Sequence, residues 1–135
     1  MSEMEAKFYY GSLDLVLVAR TSTTPWEAPT DPEACIKELR PGSHPALRKV
    51  WNSDLGPKVC TLLKSMEVKW TSINIVRIVT DEEYLAPVIL WIGVRPASLS
   101  GKDGVAMASK CRELLVEYDI DDVDVEIHES VVTRL

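Results

Sequence analysis

The stretch with the most local potential for chemistry is Ser98-Leu99-Ser100-Gly101-Lys102-Asp103-Gly104. Small residues and a lysine stand where a helix begins, a geometry that holds anions. A phosphate-binding Walker loop needs its Gly-Lys followed by Ser or Thr; here Lys102 is followed by Asp103, whose carboxylate repels a phosphate. The stretch therefore reads as a cap, with Ser100 and Asp103 at the hydroxyl-to-acid spacing of a capping box. Acids gather twice, at Asp81, Glu82 and Glu83 and at Asp119, Asp121, Asp122, Asp124, Glu126 and Glu129. The second run lacks the glycine of a calcium loop and leads into a strand, so it reads as a solvated turn and an acidic edge strand. His44 and His128 are the only histidines. Neither has a second histidine or a cysteine at ligand spacing, which leaves zinc without support. His44 reads as a helix-start residue and His128 as a solvent-facing strand residue. Cys60 and Cys111 lie on apolar helical stripes, where a thiol is poorly ionised and inert. With no nucleophile elbow of the G-x-S-x-G kind either, the sequence assigns no catalytic residue, no cofactor and no metal.

The aromatic residues offer binding rather than catalysis. Of four tryptophans, Trp51 falls on a helix stripe, Trp70 and Trp91 lie on neighbouring strands, and Trp26 lies in a proline-rich stretch. Base stacking is a poor use for them, because a net charge of −6 and a pI of about 4.9 leave no basic face for nucleic acid or for anionic membranes. The longest apolar runs, Val88 to Val94 and Leu15 to Ala19, are far shorter than the ~20 residues that cross a bilayer. The acidic opening Met1 to Lys7 lacks a secretory leader's basic and apolar regions, and Cys35, Cys60 and Cys111 form no CxxC pair. Reduced thiols in the cytoplasm are the expectation.

The elements that must position these residues follow from periodicity. The 135 residues suit a single domain, 1–135. Leu15 to Ala19 predicts a short interior strand. Residues 21–46 hold five of the eight prolines and predict a long irregular connection, with a short helix over Glu33 to Arg40. Leu47, Val50, Trp51, Leu55, Val59, Leu62, Leu63 and Met66 recur at three and four, which predicts a helix over 46–66, kinked or divided at Gly56-Pro57. Val68 to Val79 and Val88 to Val94 predict two paired strands, Asp103 to Tyr118 a second helix, and Val123 to Ile127 a last strand, with 130–135 as a tail.

The order strand, helix, strand, strand, helix, strand predicts an α+β two-layer sandwich, the ferredoxin-like βαββαβ arrangement with a four-stranded antiparallel sheet. The first and third strands would be central, the second and fourth edges. A mixed sheet lacking the N-terminal strand is the alternative. Two layers leave one sheet face uncovered, and this chain would place Ile89 and Trp91 there, with Trp70 and Ile78, or Ile73 and Ile75, added according to register, more apolar surface than a lone monomer usually shows. A second copy, another protein, or residues 21–46 with Trp26 would have to cover it.

Several strings also resemble a known group. They are Ala19-Arg20-Thr21-Ser22-Thr23-Thr24-Pro25-Trp26-Glu27-Ala28-Pro29-Thr30, Val68-Lys69-Trp70-Thr71-Ser72, Ala86-Pro87-Val88-Ile89-Leu90-Trp91-Ile92-Gly93-Val94 with Pro96 to Gly101, and Asp122 to Ile127 with Glu129 to Val132. From about residue 19 onward the chain resembles the N-terminal region of uncharacterised basidiomycete fungal proteins, which in longer members precedes a domain resembling trypsin-like serine proteases. The resemblance implies an accessory region and carries over no catalytic residue.

Two functions follow. The first is a non-catalytic protein-interaction or self-association module, a homodimer among the possibilities, using Trp70, Ile89, Trp91 and Trp26. The second is a small-ligand-binding protein or small enzyme, its pocket between the proline-rich loop and the sheet, lined by Trp26, Trp70, Trp91 and Tyr84 with Arg77, Arg95 or Asn74 aimed inward.

Overall fold

The computed structural model describes residues 1–28, 36–80 and 86–130. Among these, five strands form one sheet: β1 (Leu17–Arg20), β2 (Lys37–Pro41), β3 (Trp70–Thr80), β4 (Ile89–Val94) and β5 (Asp124–Glu129), in the order β1-β5-β4-β3-β2. The helices are α1 (Glu3–Phe8), α2 (Pro45–Val50), α3 (Gly56–Ser65) and α4 (Gly101–Glu117). Neighbouring strands run antiparallel except β4 and β5, which are parallel and joined by the crossover helix α4. None of the described helices is long and apolar enough to cross a membrane.

This corrects the expected four-stranded antiparallel ferredoxin-like sheet. The first strand is an edge, not central, and the last strand is central, not an edge. Two physical causes account for it. The first is the length of β3. Its first half, Trp70 to Val76, pairs with β4, and Val76 to Thr80 run on to pair with β2. The expected helix over Glu33 to Arg40 is therefore a strand from Lys37, while residues 33–35 lie outside the described residues. The second cause is that β5 is buried on both faces. Val125 and Ile127 point to the helices, but Glu126 and His128 are also buried, at 5% and 2% exposure. Their polarity mimics the alternation of a half-wet strand.

The helical face builds the main core. Leu90, Ile92 and Val94 from β4 and Val125 and Ile127 from β5 pack against Leu55, Val59 and Leu63 and against Met107, Cys111 and Leu115. Cys60 is half-buried, and burial pushes the Cys111 thiol up to about 12, well out of the reactive range. Helix α4 lies close on β1 because Gly104 has no Cβ; one placed there would stand 2.8 Å from Val18 Cγ1.

The predicted break in the long helix is a π-turn. Trp51 to Leu55 bridge α2 and α3, and the Gly56 N–H donates to the Trp51 carbonyl five residues back. A Cβ on Gly56 would sit 2.7 Å from that oxygen. The wider turn absorbs Pro57 in the first turn of α3 and keeps Leu47, Leu55, Val59 and Leu63 on one buried side. The expected caps are present. His44 Nδ1 accepts from the Leu47 N–H at 3.1 Å, and Ser100 Oγ accepts from the Asp103 N–H at 3.1 Å.

The opposite sheet face is covered by the chain's own N-terminal segment. After α1 the chain crosses the sheet, and Tyr10 and Leu17 join Val76, Ile89 and Trp91 in a second buried cluster, flanked by Tyr9, Leu13 and Leu15. The molecule thus has a third, partial layer. Burying an Ile and a Trp in this way contributes a few kcal/mol at ~25 cal/mol per Å².

Candidate functional site

Strand β5 carries Glu126 and His128 on the face turned to the N-terminal segment. Glu126 is opposite Trp91 of β4 and Arg20 of β1. Opposed residues share a face, so all three side chains project toward Tyr9 and Tyr10. The Tyr10 hydroxyl donates to Glu126 Oε1 at 2.9 Å and accepts from Trp91 Nε1 at 3.1 Å. The Tyr9 hydroxyl donates to Glu126 Oε2 at 3.0 Å. A chain of bonds therefore runs from an indole through a phenol to a buried carboxylate, and a second phenol closes it from the other side.

Electrostatics follow burial. Desolvation pushes the Glu126 carboxyl up, and the two tyrosine hydrogen bonds and the charges of Lys37 and Arg20 work against that rise. Burial, then the Glu126 charge, pushes both tyrosine hydroxyls up, so they remain donors. His128 stacks on Trp91 with ring centroids 3.8 Å apart and planes 19° from parallel. Burial pushes its imidazole down to about 4, and its Nδ1 has no hydrogen-bond partner among the described residues. The ring is neutral at pH 7.

Above Glu126 lies a cavity of about 310 Å³, with Tyr9, Arg20, Trp26, Ile78, Ile89 and Lys37 prominent in its lining. Arg20 Nε donates to Glu5 Oε2 at 3.3 Å and Nη1 to the Ser22 carbonyl at 3.3 Å. Arg20 and Lys37 lie over the Tyr9 ring, 5.1 Å and 4.7 Å from its centre, and Lys37 Nζ donates to the Tyr9 carbonyl. Cation–ring contacts of this kind hold both positive side chains at the cavity, where Arg20 is also ion-paired with Glu5.

The residues singled out from sequence are divided by the structure. Trp26, half-buried, and Ile89, 5% exposed, line the cavity. Trp91 lies beneath Tyr10, 6% exposed. Trp70 is partly buried against the helix-side core, away from the other three. Arg77 donates to the Ser43 carbonyl at 3.4 Å, Asn74 and Arg95 are exposed, and Tyr84 lies outside the described residues. His128, expected in solvent, is buried. Sequence reasoning missed Tyr9, Tyr10, Arg20, Glu126 and His128. The signal for them was the Tyr9-Tyr10 doublet ahead of an apolar strand and a carboxylate inside a β-branched run. Among the described residues no cluster of three His, Cys, Asp or Glu is placed to hold a metal ion.

Comparison with family models, with curated proteins and with solved structures gives no match to this chain.

Proposed function

We propose that the protein is a non-catalytic binding protein for a small molecule, held in the cavity above Glu126. One observation carries this reading: a cavity of about 310 Å³ with a buried carboxylate at its base, an arginine and a lysine at its wall, and Trp26, Ile78 and Ile89 as apolar lining. That size and mixture match the lower end of small-molecule sites, where a few polar groups orient an otherwise apolar ligand. Buried ionisable groups with displaced pKa values concentrate at such sites. A cytoplasmic setting, and kinship with the basidiomycete proteins that the quoted strings resemble, belong to the same proposal.

A fragment screen read by ¹H–¹⁵N shifts tests it. Ligands should move the Arg20 and Trp26 side-chain signals together, and Thr24→Trp, placed at an exposed lining position, should weaken them by about tenfold or more with the fold intact. Ligands that leave these signals still and move others instead would refute the site.

The protein-interaction reading has its own support in a shallow groove of about 500 Å³ between α3 and α4, floored by Leu62 and Leu114. Interaction through Ile89 and Trp91 would first require the N-terminal segment to leave the sheet.

A further inference from the structure

We infer that the ligand of this cavity is a small zwitterion with an apolar side chain, the chemical class of the free α-amino acids; this rests on the cavity being a binding site. The starting point is a pair of opposite charges kept apart. Arg20 and Glu126 are directly opposed across β1 and β5. Their Cβ atoms are therefore about 4.5–5.5 Å apart on one face, where opposite charges ordinarily pair. They do not pair here. Arg20 binds Glu5 and the Ser22 carbonyl, and Glu126 takes two tyrosine hydroxyls. Both line the cavity.

Neither group is saturated. A guanidinium has five N–H donors. Two of those of Arg20 are engaged among the described residues, on a side chain only 11% exposed. A carboxylate offers about four acceptor positions, and the tyrosines occupy one on each oxygen of Glu126. The cavity therefore presents a donor pole and an acceptor pole side by side, both largely out of water. An α-amino acid carries an ammonium for Glu126 and a carboxylate for Arg20 on a single carbon, and its side chain meets Trp26, Ile78 and Ile89. Arg20 already has the Glu5 carboxylate and Glu126 two hydroxyls, so a ligand with one charge adds bonds at one pole only and leaves the remaining donors or acceptors of the other unused. Lys37 lies over the same ring as Arg20 and lines the same cavity.

Calorimetry on the full chain with L-phenylalanine, L-leucine, 3-phenylpropionate and phenethylamine tests this, with ¹H–¹⁵N spectra locating each ligand. L-Phenylalanine or L-leucine should bind about tenfold or more tighter than either one-charge analogue. Arg20→Gln and Glu126→Gln should each lower amino-acid binding to the level of the analogue lacking the corresponding charge. Arg20→Lys, which keeps charge but not the planar donor set, serves if either variant fails to fold, and should fall between. A one-charge analogue that binds in the cavity as tightly as the amino acids would overturn the zwitterion and leave the binding site standing. If none of the four moves the cavity signals at millimolar concentration, the zwitterion is overturned; hits at the cavity in the fragment screen would still uphold the site.

Discussion

Glu126 and His128, two residues apart on β5, are polar side chains buried on the same face, and they titrate in opposite senses. The unfolded chain protonates a histidine near its ordinary value of 6.5, whereas burial delays protonation of His128 to about 4 in the fold. Between those values the unfolded state binds more protons. The histidine's contribution is therefore fully present above pH 6.5 and is lost as pH falls toward 4, by about 3 kcal/mol at ~1.4 kcal/mol per unit. Glu126 does the reverse. Its folded pKa is raised, so its contribution is present at low pH and is lost as pH rises through that folded value. His128→Phe keeps a ring on Trp91 and removes only the first effect. Urea unfolding at pH 7 and pH 4.5 should show the variant losing about 2 kcal/mol less than the parent chain between the two. Equal losses in both chains would mean that the imidazole is protonated inside the fold.

Elements set by local spacing were legible, and those set by distant pairing were not. The stripe from Leu47 to Leu63 and the caps at His44 and Ser100 depend on neighbours within four residues, so the sequence displays them. Lys37–Pro41 carries Lys, Glu, Arg and Pro, with no strand alternation. It is a strand because β3 outruns β4 and offers it a ladder, and its charges and proline suit an exposed edge. The parallel pairing of β4 with β5 was hidden for the same reason. Of the pocket residues the sequence offered, Trp26 lines the cavity, joined by Ile89, which was expected on the open sheet face; the polar part comes from residues 9, 20, 37 and 126, which only the topology brings together. The π-turn gives this scale its prediction. Gly56→Ala forces a Cβ against the Trp51 carbonyl at 2.7 Å, outweighing alanine's better helix propensity. It should destabilise the chain by about 1–3 kcal/mol in denaturant unfolding, the range for overpacked sites. A neutral or stabilising result would show that the turn relaxes to ordinary α-helix.

At the scale of the whole molecule the N-terminal segment is a structural layer, joined to the sheet by apolar packing and by the tyrosine bonds to Glu126. Removing residues 1–16 should uncover Val76, Ile89 and Trp91 and take both hydroxyl partners from a buried carboxylate. The shortened chain should lose several kcal/mol of stability and self-associate, as light scattering and urea titration would record. A monomer of unchanged stability would mean that the segment is dispensable to the sheet. The layer also joins distant parts of the chain, since Tyr10 and its partner Glu126 are 116 positions apart and, among the described residues, β1 has its ladder with β5. A ribosome delivers β1 well before β5. Until β5 follows, the greasy stretch around Leu17 lacks the ladder it has in the fold, and the nascent polypeptide is open to clumping.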